Sequence, residues 1–335
     1  MPKPFLAALL TTAPPELTDA QAAQLAWQHF GVAGQLRRLT SERDLNIHIA
    51  APGQGYVLKL ANLAEPAAVT DFQTQALLHL ADTDLPIPRV IRTRSGATEV
   101  QTPHGTLRLL TYLEGTPLHA SPRSPAQTAA MARMAARLTL GLQAFAHPAM
   151  GHILQWDIKH AAALRPLLPA IPDDLRALAS ATLTRFDTHI APQLPGLRGQ
   201  VVHNDLNPHN VLTLPGDPCT IAGVLDFGDM VHTPLICDAA IAASYHIDPA
   251  APLHSLLHFV RAYHATLPLT ATELRLFPDL VATRMLTTLA IASSRAARYP
   301  DNAVYILRNV ATARAGLRAL AALPAATIQT AMEQL

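Results

Sequence analysis

The stretch His203-Asn204-Asp205-Leu206-Asn207-Pro208-His209-Asn210 gathers one carboxylate, three amides and two imidazoles in a few residues. Val201-Val202 precedes it and Val211-Leu212 follows, so a polar loop joins two short apolar strands. Further on, Val224-Leu225-Asp226-Phe227-Gly228-Asp229 places two more acids after an apolar run. This set suits phosphoryl transfer, where a protein mainly positions groups and neutralises charge. One carboxylate must orient the attacking hydroxyl and take its proton, and Asp205 is the candidate. Magnesium takes oxygen ligands, and Asn210 and Asp226 can supply them. A cation must meet the phosphates, and Lys59 in Tyr56-Val57-Leu58-Lys59-Leu60 can do so.

These groups need a scaffold. Asn46–Ile49 and Tyr56–Leu60 alternate apolar and polar residues around Pro52-Gly53-Gln54-Gly55, which predicts an antiparallel hairpin. Residues 68–81 predict an amphipathic helix carrying Phe72, Ala76, Leu77 and Leu80. Residues 98–101 and 106–113 predict a second strand pair. After Gly115 the pattern turns helical, at 124–146, 158–168, 173–190, 235–246, 251–266, 271–297 and 301–322. Only 200–202, 211–214 and 221–225 read as strands there. The expected organisation is α+β: a flexible segment over 1–17, a sheet-rich lobe over 18–111 and a helical lobe over 112–335.

His203-x-Asp205-x-x-x-x-Asn210 followed by Asp226-Phe227-Gly228 resembles the catalytic and metal-binding loops of the aminoglycoside phosphotransferase and choline kinase superfamily, kin to protein kinases. Lys59 looks like that family's phosphate-contacting lysine. Leu85-Pro86-Ile87-Pro88-Arg89-Val90 resembles the element after its first-lobe helix. Leu109–Gly115 resembles its hinge, so Thr111, Tyr112 and Leu113 are expected at the adenine or guanine base. Ser41-Glu42-Arg43-Asp44-x-Asn46, the helix around Asp71–Leu77 and Asp226–His232 look most like the hydroxylysine-kinase-like branch. The resemblance implies a bilobal protein-kinase-like fold, ATP or GTP as donor, Mg2+ as cofactor, and a loop containing Ser41 and Asn46 that covers the phosphates. It implies an acceptor such as a hydroxy amino acid or amino alcohol. In these kinases a glutamate usually pairs with the lysine. That position falls at Gln73, so the pair expected here is an uncharged Lys59–Gln73 hydrogen bond.

Other residues carry two readings. His203 braces the loop or does proton chemistry. Asp229 is a supporting acid or helps the metal. Asp238 is expected to bond the catalytic-loop backbone, and Asn207 and His209 are candidates to face the acceptor. Trp156-Asp157 could receive a substrate ammonium, or be a core ring and a helix cap. Arg284 or Arg295, on the 271–297 helix, could hold a substrate carboxylate, or be structural.

Bulk properties narrow the classes. The chain has 335 residues, is 50% hydrophobic and 15% charged, and has a formal net charge of +1. No basic excess points to nucleic acid. No run of about 18 apolar residues points to a membrane span. The apolar run at 5–10 is too short for a signal peptide. Two cysteines give no disulfide framework and suit a reducing, cytoplasmic compartment; the chain is expected to act as a monomer or homodimer. The 16 histidines lack a zinc pattern. The competing functions are an aminoglycoside or other antibiotic phosphotransferase, a protein kinase and a non-catalytic nucleotide-binding pseudokinase.

Overall fold

The computed structural model describes residues 12–41 and 43–335. Most of the segment expected to be flexible lies outside the described residues. Its last part, 12–17, is tied down. Leu17 is buried, its carbonyl accepts from Arg38, and Asn62 Nδ2 donates to the carbonyls of Thr12 and Ala13.

Helix α1 (Asp19–Phe30) starts on a capping box. Thr18 accepts from the Gln21 amide, and the Gln21 side chain accepts from the Thr18 amide. It lies on a sheet ordered β1 (Gln35–Leu39), β2 (Leu45–Ala51), β3 (Gln54–Leu60), β6 (Gly105–Thr111), β4 (Val90–Ile91), with β5 (Val100–Thr102) also paired to β6. Every pairing is antiparallel. The expected β2–β3 hairpin turns at Gly53, whose φ of 82° is open to glycine. Alternation sorts this sheet's faces. Ile47, Ile49, Leu58, Leu60, Leu107 and Leu109 pack against Ala22, Ala26 and Phe30 of α1. The opposite face carries Asn46, Lys59 and Arg108, aligned by the registers Asn46–Lys59 and Lys59–Arg108. Helix α2 (Ala67–His79) covers part of that face and buries Phe72, Gln73, Ala76 and Leu77. Strand β1 was absent from the sequence reading. Its segment Gln-Leu-Arg-Arg-Leu is an edge strand with mostly exposed residues, so it has no clean alternation.

The second lobe is mainly helical: α3 (Pro125–Gly141), α4 (Asp173–Arg185), α5 (Leu235–Ser244), α6 (Pro252–Thr266), α7 (Ala271–Arg298), α8 (Ala303–Ile306), α9 (Val310–Ala321) and α10 (Ala325–Glu333). Every residue of α5 is buried, and the helix packs against α3 and α7. The strands here are β7 (Thr116–Pro117), β8 (Gly199–Val202), β9 (Val211–Leu214), β10 (Asp217–Val224) and β11 (Val231–Pro234). β9 pairs with β10 and β7, and β8 pairs with β11. The molecule is therefore a bilobal α+β fold.

Three expected helices differ. Residues 158–168 belong to a 3-10 run, Ile158–Ala170, kinked at His160. Pro166 and Pro169 lack the amides an α-helix would use. The 173–190 segment leaves α-geometry at Phe186 for a π turn through Ile190. The 301–322 segment breaks into α8 and α9.

Candidate active site

The two lobes face each other across a cleft of about 510 Å³, and the chemistry-bearing residues converge on it. The β8–β9 loop presents Asp205, Asn207, His209 and Asn210. The segment after β10 presents Asp226 and Asp229. The first lobe contributes Ser41, Arg43, Asp44, Asn46 and Lys59.

Asp205 is held from several directions. Its Oδ2 accepts from Asn207 Nδ2 at 2.8 Å and Asn210 Nδ2 at 2.7 Å. Its Oδ1 accepts from Arg284 Nη2 at 3.1 Å. Its carbonyl accepts from the Asn207 amide and from Asn210 Nδ2. Burial, aided by the charge of Asp229 and opposed by Arg284, pushes the carboxyl up to about 7. His203 sits behind it, fully buried. Its Nε2 meets the Leu225 carbonyl at 2.9 Å, and its Nδ1 accepts from the Asp205 amide at 3.3 Å. Those two bonds select the tautomer with hydrogen on Nε2. Burial keeps the ring below its ordinary range. Its edge meets Phe227, with centroids 4.9 Å apart. Asp238, at the buried start of α5, accepts the Asn204 amide at 2.7 Å. The loop is thus braced by one helix and by the chain preceding Asp226.

Asp226 has a left-handed backbone, φ 56°, and its Oδ1 accepts the Gly228 amide at 3.2 Å. Its side chain is 53% exposed and lies 3.8 Å from Lys59 Nζ. Desolvation in the cleft would raise its pKa, but Lys59 and Arg43 outweigh this and hold the carboxyl below its ordinary value. Arg43 reaches across from the first lobe to Asp229 at 2.8 Å. Asn46, beside Lys59, directs a buried Oδ1 with no hydrogen-bond partner among the described residues.

Thr111, Tyr112 and Leu113, the residues expected at the nucleotide base, lie apart from this lining. Thr111 brackets Arg89, its amide donating to the Arg89 carbonyl and its hydroxyl accepting the Arg89 amide. The Tyr112 amide is spent on the Gly55 carbonyl, and its ring rests 4.0 Å from His48. Leu113 packs beside Gly223.

Four expectations need correction. Gln73 does not bond Lys59. Its Oε1 accepts from Arg108 Nη2 at 3.0 Å, and its Nε2 donates to the Gly228 carbonyl at 3.4 Å. Arg108 lies on the same sheet face as Lys59, is buried, and captures the amide first. Asp157 does not face the cleft. It is 1% exposed, caps the 3-10 run through the Lys159 amide, accepts from Thr233 and pairs with Lys159 Nζ at 2.9 Å. Trp156 does line the cleft, but the Arg284 guanidinium lies 5.2 Å from its ring centroid and fills the place the sequence reading assigned to a substrate ammonium. Arg284 is itself engaged by Asp205, the Tyr245 hydroxyl and the Trp156 carbonyl, so it is no open carboxylate receptor.

His209 packs against His119, the rings tilted by 33° with centroids 4.1 Å apart. Burial, His119 and Arg308 push it down to about 4, so it is neutral. The sequence reading missed Arg43, Arg108, Tyr245 and Thr288. A helical count from Arg284 would have flagged Thr288, one turn along the same face. Nothing local marks Arg108.

A model of the phosphotransferase enzyme family matches residues 35–276. Hydroxylysine kinase of Danio rerio is 30% identical over 331 residues, covering 92% of this chain and 92% of its own. Hydroxylysine kinase of Mus musculus is 27% identical, covering 88% and 87%. Amicoumacin kinase, solved with AMP-PNP, Ca2+ and Ami, superimposes with a TM-score of 0.64 at 15% identity, over 88% of this chain and 93% of its own, and shares the fold. With its family model covering most of the chain and its cleft built as described, this protein belongs to the phosphotransferase enzyme family and is a small-molecule kinase.

Proposed function

We propose that this kinase moves the γ-phosphoryl group of ATP or GTP to the hydroxyl of a hydroxy amino acid or amino alcohol of the hydroxylysine type. The observation that carries the reading is one cleft holding Asp205, Asn210, Asp226 and Lys59 together. The hydroxylysine kinases that match nearly end to end support the acceptor class. Among the described residues the cleft sets Arg43, Lys59, Arg284, Arg295 and Arg308 against Asp44, Asp205, Asp226 and Asp229. That balance gives no acidic excess for a polycationic antibiotic.

Magnesium fits the residues present. Asn210 Nδ2 donates to the Asp205 carbonyl and to its Oδ2, which leaves the Asn210 Oδ1 lone pairs to ligate the ion, and Asp226 adds a carboxylate. Two hard oxygen ligands suit an ion that completes its shell with water and phosphate oxygens. When bound, the ion neutralises charge on the β- and γ-phosphates. Lys59 meets the phosphates from the first lobe. Asp205 receives the acceptor's hydroxyl proton, the acceptor oxygen bonds to the γ-phosphorus, and the β–γ bridging oxygen leaves with the nucleoside diphosphate.

The test is nucleoside diphosphate release from the purified chain with Mg2+, ATP or GTP, and a panel of hydroxylysine, homoserine, ethanolamine, choline and kanamycin. Acceptor-dependent release is expected with an amino-acid or amino-alcohol acceptor. Asp205→Asn should cut kcat by about 1,000-fold, within the span of general-base losses. Preference for kanamycin, or release indifferent to every acceptor, would refute the reading.

A further inference from the structure

The two oxygens of Asp205 are not equivalent. Oδ2 already accepts two amide hydrogens, from Asn207 and Asn210, and a carboxylate oxygen offers about two lone-pair directions. Oδ1 accepts one bond, from Arg284. An incoming hydroxyl can therefore be received at Oδ1 without displacing a donor, and Oδ1 lies on the α7 side.

Arg284 cannot easily turn elsewhere. It is 2% exposed, with its guanidinium 5.2 Å from the Trp156 centroid and 5.9 Å from that of Tyr245. It also donates to the Tyr245 hydroxyl at 3.1 Å and to the Trp156 carbonyl at 3.3 Å. A rigid planar fork held this way fixes the carboxylate it touches. The next two turns of α7 continue the same stripe, because residues four apart share a helix face. Thr288 and Ala292 both line the cleft there. The Thr288 hydroxyl donates its hydrogen to the Arg284 carbonyl at 3.1 Å, so toward a ligand it can only accept. Ala292 is the small residue on the stripe; it is 3% exposed, so a larger side chain there would press into the cleft it lines.

We infer that Arg284 is a positioning residue that aims Asp205 Oδ1 at α7, and that the face running from Arg284 through Thr288 to Ala292 is the wall on which the acceptor is selected. The inference rests on the reading of Asp205 as the base. The acceptor lies along α7 with its hydroxyl at the Arg284 end. The nucleotide lies on the other side of Asp205, toward Lys59.

The experiment measures kcat and separate Michaelis constants for ATP and hydroxylysine in four variants. Arg284→Ala should lose about 100-fold in kcat, the scale of a base misplaced by about 1 Å. Its ATP constant should stay unchanged, and added methylguanidinium should restore part of the rate. Arg284→Lys should fall between the two. Ala292→Leu should raise the hydroxylysine constant and leave the ATP constant alone. An Ala292→Leu enzyme with wild-type affinity for hydroxylysine would overturn the wall. Loss of rate in Arg284→Ala with an equal loss of ATP affinity and no rescue would overturn the positioning role. Asp205→Asn separates the two levels. If it keeps a kcat near wild type, the base reading fails and this inference falls with it. If it loses about 1,000-fold while the α7 variants behave as wild type, this inference alone fails.

Discussion

Gln73 and Arg108 set the chemistry of the first lobe. Arg108 is buried, and it donates to Gln73 Oε1, the Thr70 carbonyl and the Thr74 hydroxyl. Lys59, left without a helix partner, leans on Asp226 instead. Restoring a carboxylate at Gln73 should therefore not restore a lysine pair. Gln73→Glu would meet Arg108, and its Michaelis constant for nucleotide should move by less than about tenfold, or about 1.4 kcal/mol. Steady-state kinetics with varied nucleotide checks this, and a large gain in affinity would show that Lys59 had taken the new charge. The residues that meet in the cleft were legible where they are close in sequence: Asp205 and Asn210 share one loop, and Asp226 follows within one hairpin. Arg284 was legible as a cleft candidate but not as the partner of Asp205, and Arg108 was not legible. Their partners lie 79 and 35 residues away, and only packing or strand register joins them.

Among the elements, the 3-10 run Ile158–Ala170 depends on Asp157. That buried carboxylate caps the run, binds Thr233 of β11 and pairs with Lys159. Asp157→Ala should cost about 2 kcal/mol, combining a lost cap with a broken, partly shielded ion pair. Urea denaturation would read the loss, while the acceptor's Michaelis constant should stay at its wild-type value. A raised constant at full stability would return Asp157 to the substrate. Elements were legible where period and punctuation agree. The β2–β3 hairpin has its glycine turn, and α7 has its Thr270–Glu273 capping box. They were illegible where one pattern serves several geometries. Residues 158–168 have apolar spacing fit for an α-helix, yet their prolines force a tighter coil. Strands β1 and β11 are too short or too exposed to alternate.

For the whole molecule, two buried groups pull stability against pH in opposite directions. Burial and Arg123 push His246 down to about 3, while the unfolded chain's histidine titrates near about 6.5. Below that pH the unfolded state binds a proton that the folded state refuses, so this contribution to stability falls as pH falls. Burial pushes Asp238 up to about 7, against the Asn204 amide and Arg284. Between about 3.9 and that value the folded state keeps a proton that the unfolded state has lost. This contribution therefore falls as pH rises. Guanidinium titrations from pH 4 to 8 should show His246→Gln gaining on wild type toward acid, and Asp238→Asn gaining on it toward neutral pH. A difference flat with pH in either variant would mean that group titrates alike folded and unfolded.

The Arg108 pin reaches further than local packing. Three of its bonds fasten α2 to the sheet. A helix riveted by a buried, permanently charged side chain has no second resting place, and swinging it outward would strand that charge. The pin should therefore hold α2 in one position whether or not nucleotide is bound. Hydrogen–deuterium exchange across Ala67–His79 should accordingly be as slow without nucleotide as with it.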